Sequence, residues 1–200
     1  MPELFFDVET TGLPPRKANP EAFQQYDGCR VVSIAWVLRD KSTVYAQRYS
    51  VTDPGITDET IGAEFVHGIS REVMNNYGSP IADVLADFMA DVGRSSKIVA
   101  HNLEFDKSVI SAELFRMGSA DDARRLLNFQ NLCTMKSTTN LVRIPNSYGS
   151  FKWPKLEELH DFLFGHAFEN AHHAMCDVDA MVRCYYRLTE KYSANKKVKN

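Results

Sequence analysis

Hydrophobic positions fall in short runs separated by turn residues, and their spacing switches between the two periods of regular structure. Leu4-Phe5-Phe6 and Val8 make an almost unbroken apolar run over 3–8, which predicts a central strand rather than an edge. Pro14, Pro15, Pro20 and Gly28 mark 14–30 as a loop. Strands are predicted over 30–38 and 43–51, and the polar link Arg39-Asp40-Lys41-Ser42 joins them as an antiparallel hairpin. Ser79-Pro80 reads as the cap and first-turn proline of a helix over 79–93, with Val84, Leu85, Phe88 and Val92 on one side and Gly93 as its stop. A strand over 97–100 leads into a helix from 104 to Gly118, with Val109, Ile110, Leu114 and Met117 inward. A short helix over 121–127, a strand over 129–133 and a loop over 139–154 follow, then helices over 155–164 and 174–191. Residues 1–192 read as a single domain of hairpin-led mixed sheet and alternating helices, an α/β fold, and residues 193–200 as a polar, disordered tail.

Composition narrows the class. The chain has 200 residues, 44% hydrophobic and 24% charged, as in a soluble globular domain. A net charge of −3 gives no global attraction for a polyanion, so nucleic-acid binding must use local basic patches or metal ions. Cys29, Cys133, Cys176 and Cys184 form no CxxC pair, which argues against a zinc site and for free thiols in a reducing cytoplasm. No apolar run reaches the ~18 residues of a membrane span, and Met1-Pro2-Glu3 leads into a strand rather than a signal peptide.

The chemistry lies where the apolar pattern is broken by acids. Asp7 and Glu9 interrupt the first strand and, two apart, point to one face with ~7 Å between them. The turn Thr10-Thr11-Gly12 ends that strand just beyond them, at the carboxyl edge where α/β sheets hold ligands. Asp106 follows the strand over 97–100 and lies on the apolar side of its helix, although an acid at a helix start also serves the helix dipole. Asp177 falls between Ala174 and Met181 on the inward stripe of the last helix, while Asp179 points off it. Two unit charges ~7 Å apart repel by ~2.4 kcal/mol at an effective dielectric of ~20. Two divalent cations would relieve four such groups, and oxygen-only ligands favour magnesium, with manganese able to substitute. His172 and His173 precede Asp177; a surface histidine pair is common, but one near its ordinary pKa can deprotonate a metal-bound water.

These motifs resemble those of DEDDh-type 3′–5′ exonucleases. Asp7-Val8-Glu9-Thr10-Thr11-Gly12 resembles the first, His101-Asn102-Leu103-Glu104-Phe105-Asp106 the second, and His172-His173-Ala174-Met175-Cys176-Asp177 the third. Val66-His67-Gly68-Ile69 is similar to a substrate-contact segment between the first two. The order and spacing extend over about residues 4–190, with greatest likeness to the proofreading epsilon subunit of bacterial DNA polymerase III and its free-standing relatives. The resemblance implies a ribonuclease-H-like fold with a five-stranded mixed sheet flanked by helices. It implies two Mg2+ ions held by Asp7, Glu9, Asp106 and Asp177, with His172 as general base and His173 as the second candidate. The backbone near Thr10, with His67, would hold the terminal nucleotide, and Phe105 would pack beneath the site or against a base. One position departs from the epsilon pattern: Gly62 stands where a glutamate is expected, and Glu59 or Glu64 could supply that contact.

The expected substrate is a single-stranded or mismatched 3′ end, DNA favoured over RNA, with a DNA polymerase as a further candidate partner and no membrane. A 3′–5′ exoribonuclease and a non-catalytic nucleic-acid or polymerase-binding module are the competing readings. Arg143, Lys152 and Lys155 lie near Tyr148, Phe151 and Trp153 in the loop over 139–154; they either guide and stack a strand or, as in an ordinary loop, cap the core with the aromatics.

Overall fold

The first strand, β1 (Glu3–Thr10), is buried because it has neighbours on both sides: β2 (Val31–Arg39) antiparallel and β5 (Ile98–Ala100) parallel. The protein is described by a computed structural model covering residues 1–56 and 62–197, with side chains as far as Glu190. β3 (Val44–Asp53) pairs antiparallel with β2, as the polar link between them leads one to expect, and β6 (Asn131–Cys133) lies parallel to β5. A two-residue strand, β4 (Ser79–Pro80), pairs with the end of β3. The sheet therefore has six strands in the order β4-β3-β2-β1-β5-β6, one more than expected. The additional strand consists of the Ser79-Pro80 pair read above as a helix opening. Proline tolerates this place because it lies on the sheet edge.

Helices cover both faces. Phe5 meets Tyr185 of α8 (Ala174–Lys197) edge-on at 5.0 Å, while Phe6 meets Phe88 of α3 (Ile81–Arg94) at 5.3 Å. Successive residues of β1 thus face opposite layers, and Asp7 and Glu9 share the α8 side with Phe5. Trp36 of β2 is fully buried against Phe88, its indole N–H donating to Asp91 at 2.9 Å.

At the carboxyl end of β5, α4 (Leu103–Arg116) begins, followed by α5 (Ala120–Asn128). α4 is tied to β2 by a buried ion pair. Arg30 Nε donates to Glu113 Oε1 at 2.7 Å, and its Nη2 reaches Glu113 Oε2 at 3.0 Å and the Pro54 carbonyl at 2.7 Å.

Three helices were not anticipated: α1 (Glu64–His67), α2 (Arg71–Tyr77) and α6 (Thr134–Val142). α6 is rich in Thr, Ser and Asn, poor helix formers, but it buries Thr134, Met135 and Thr138; Thr138 and Thr139 satisfy their hydroxyls on the carbonyls of Thr134 and Met135 at 2.7 and 3.0 Å. α7 (Leu156–Phe164) follows, and α8 runs past the expected end at 191, through the start of the supposed tail. Residues 198–200 of that tail lie outside the described residues, as does Glu59. Among the described residues no helix is long and apolar enough to cross a membrane.

Candidate active site

Three chain segments end at one edge of the sheet. β1 and β5 run parallel, so Asp7 and Glu9 arrive at the same edge as the first turn of α4, which carries Asp106. The first turn of α8 brings Asp177. A register shift at Glu9/Thr10 breaks the regular pairing with β2 just where the acids emerge. The strand then closes tightly. A side chain on Gly12 would place its Cβ 2.9 Å from the Gly28 carbonyl, so only glycine lets the two loops meet.

Carboxylate oxygens of Asp7, Glu9 and Asp177 lie within 4.8 Å of one another. Asp106 stands outside that triplet but beside it. It is 3% exposed, the Val8 backbone amide donates to it, and its Oδ2 has no protein partner. Both readings of Asp106 therefore hold: it occupies the favourable first turn of a helix, and it is buried among acids.

The electrostatics follow. Burial, then the charges of Asp106, Asp177 and Glu9, push the Asp7 carboxyl well above its ordinary range. Burial and then Asp177 raise Glu9 to about 8. Burial raises Asp177 to about 6, with the His172 amide and ring opposing and Glu157 adding to the rise. A crowded set of oxygen donors with one buried oxygen left unsatisfied fits hard divalent cations. Asp7, Glu9 and Asp177 could hold a shared ion, with Asp106 completing the set.

The acids face a cavity of about 500 Å3 whose other walls include Phe105, Met135, Trp153, Phe168 and His172. His172 is exposed and precedes α8 with φ 68°, a left-handed conformation that costs a β-carbon-bearing residue ~1–2 kcal/mol. Its backbone N–H donates to Asp177 Oδ2 at 3.0 Å, which fixes the turn over the acids. Asn102, also on the cavity wall, has φ 72°. Such backbone strain clusters at functional sites. His173 instead stacks on Tyr49 at 4.8 Å, away from the acids' cavity.

Thr10, which follows Glu9 at the end of β1, meets His67. The Ile69 amide donates to His67 Nδ1 at 3.0 Å, so the ring proton is on Nε2 and is donated to the Thr10 carbonyl at 3.2 Å. Both ring nitrogens are thus engaged, and His67 props the Thr10 backbone. Burial, with His172 adding, depresses its pKa, which keeps that neutral ring in place. Glu64 opens α1 and is exposed.

Two contributors to the cavity were passed over in the sequence. Glu157 lines it from the first turn of α7, where an acid next to Glu158 at a helix start carries no signal of its own. His101 was visible only as part of a motif. Its Nε2 bonds the Pro154 carbonyl at 2.9 Å, so its Nδ1 accepts from the Thr134 hydroxyl at 2.9 Å. Burial lowers this ring's pKa to about 4, and in the neutral form it fastens the segment carrying Trp153 to the end of β5.

Known proteins resemble this chain in sequence and fold. Over 187 residues the chain is 24% identical to the DNA polymerase III subunit epsilon of Rickettsia felis, covering 94% of this chain and 73% of that relative. Exonuclease I in its apo form has the same fold, with a TM-score of 0.66 at 18% identity, over 94% of this chain and 42% of its own length. The chain thus spans less than half of that protein. A 3′-exonuclease solved for "3'-end specific recognition of histone mRNA stem-loop" superposes with a TM-score of 0.64 at 13% identity, over 94% of this chain and 63% of its own. A family model described as Exonuclease (RNase_T) matches residues 4–185, and with the acids of three separate segments gathered at one sheet edge, the chain belongs to that exonuclease family.

Proposed function

We propose that this protein is a divalent-metal-dependent 3′–5′ exonuclease that removes nucleotides from single-stranded or mismatched DNA ends. The observation that carries this reading is the triplet of carboxylates within 4.8 Å, backed by the unsatisfied oxygen of Asp106 and opening into the cavity beneath His172. Asp7, Glu9, Asp106 and Asp177 would hold two magnesium ions. When bound, such ions supply Lewis-acid stabilisation of the attacked phosphate and of the departing oxygen. His172, exposed above Asp177, takes the proton from the attacking water as the new P–O bond forms. The bond from phosphorus to the preceding 3′ oxygen breaks, leaving a 5′-mononucleotide and a strand shortened by one. The Thr10 backbone, propped by His67, holds the terminal nucleotide, and Phe105 packs against it from the cavity wall.

The test is a time course on end-labelled single-stranded DNA, matched RNA and a mismatched duplex, with magnesium or EDTA. Laddering from the DNA 3′ end, abolished by EDTA, is the expected result; intact 3′ ends on every substrate would overturn the reading. A second reading, trimming of RNA, is favoured by the fold likeness to the 3′-exonuclease of histone mRNA. Faster loss of the matched RNA would select it, because the two substrates differ in the 2′-hydroxyl. The relative named as an epsilon subunit of DNA polymerase III makes a polymerase the partner to try first.

A further inference from the structure

The segment between α6 and α7 is a built arm. Pro145 and Phe151 form an antiparallel bridge, Asn146 N–H donates to the Ser150 carbonyl at 2.8 Å, and Lys152 N–H donates to that of Ile144 at 2.9 Å. The Asn146 side chain closes the tip, accepting from the amides of Tyr148 and Ser150 at 2.9 and 3.1 Å and donating to Ser150 Oγ at 2.7 Å. The base is fastened twice, by His101 to Pro154 and by Lys152 to Glu158 at 2.6 Å.

The aromatic side chains of this arm cap nothing. Tyr148 at the tip is 91% exposed, Phe151 41% and Trp153 60%, so the core-capping alternative fails. Trp153 also lines the acids' cavity. One side of its indole is occupied by the Lys136 ammonium, 5.8 Å from the ring centroid and held there by an ion pair with Glu104. Arg143 and Lys155, at the two ends of the arm, make no ion pair among the described residues. A rigid hairpin that keeps large rings in water, beside a phosphate-cleaving cavity and unpaired cations, has the makings of a stacking platform.

We infer that the arm is a subsite for the single strand upstream of the cut, with a base stacked on the open face of Trp153. This rests on the exonuclease reading above. Phe105 on the same cavity wall is assigned to the terminal nucleotide, so the base on Trp153, at the root of the exposed arm, is placed upstream of it. Stacking is tolerant of sequence, so the arm favours unpaired strands of any composition.

The chain's two tryptophans make the test direct. Trp36 is 0% exposed, so emission from the accessible fraction comes from Trp153. Oligothymidylate titrated into the full-length Asp7→Ala protein, which should leave the strand uncut, is expected to quench that emission by roughly half or more, saturably, and to shield it from acrylamide. The Trp153→Ala form should lack the effect. With Asp7 intact, Trp153→Ala should raise KM for the oligonucleotide roughly tenfold with a smaller change in kcat, and Trp153→Phe should recover most of the loss. If the protein shortens oligonucleotides but shows no quench, and KM stays within about twofold in Trp153→Ala, the subsite is wrong and the exonuclease reading stands. If saturable quenching occurs but no nucleic acid is cut, the subsite stands and the exonuclease reading falls.

Discussion

Asp7 and Asp177 lie far apart in the sequence yet share a cation-sized space, and among the described residues neither has a basic side chain bonded to it. Replacing either with alanine should abolish cleavage, with the loss confirmed by single-turnover assays on labelled strands; residual activity within tenfold of the parent would refute the assignment. For His172 the backbone must be separated from the ring, since φ 68° is part of the turn. Asparagine tolerates the left-handed region, so His172→Asn should keep the turn and lose turnover by ~10²–10⁴. Divalent-ion affinity, measured by calorimetry, should change far less. If His173→Asn loses turnover and His172→Asn does not, the base is His173. His101 gives a pH dependence of known sign. Its folded pKa of about 4 lies below the ordinary 6.5, so the unfolded chain binds the extra proton first. Stability from this neutral ring is therefore full above about pH 6.5 and declines as pH falls towards 4, by about 3 kcal/mol at most. Urea midpoints taken across that window should converge for the parent and His101→Gln.

At the scale of elements, α4 carries both Asp106 and, two turns on, Glu113, whose bidentate contact to Arg30 sets how the helix meets β2. Glu113→Ala leaves Arg30 buried and uncompensated and should cost ~3–5 kcal/mol by chemical unfolding. Glu104→Ala, which breaks the exposed pair with Lys136, should cost under ~1 kcal/mol. The elements also show what was readable in the sequence. β1 and the last helix were legible because acids interrupt strong apolar patterns there. α6 was not, because Thr134-Met135-Lys136-Ser137-Thr138-Thr139 has the composition of a loop, and its helix is held by the packing of Thr134, Met135 and Thr138, which are buried. β4 was missed because two residues carry no period and Ser79-Pro80 is also a good helix start. The role of His67 as a prop for Thr10 depends on which ring nitrogen meets which backbone atom, and no spacing encodes that.

At the scale of the whole molecule, the site opposes the fold that builds it. Four acids gathered with raised pKa values mean that ionising them costs the metal-free protein stability, through burial first and mutual repulsion second, and a bound cation would offset that cost. Thermal unfolding should therefore shift upward with magnesium or manganese in a concentration-dependent way, by roughly RT ln(1 + [L]/Kd), and Asp7→Asn should be more stable than the parent in EDTA. A melting curve insensitive to either change would show that the acids are already relaxed by other means. The order of the parts along the chain has a consequence for synthesis. Asp7 leaves the ribosome early, but the first turn of α8 must also emerge before the triplet exists. At ~5–20 residues per second, translation needs on the order of ten seconds or more to pass from one to the other. During that interval the nascent polypeptide lacks the third acid of the triplet. Under the exonuclease reading, a chain interrupted before residue 177 should therefore leave nucleic-acid ends uncut, because it lacks the third acid of the triplet.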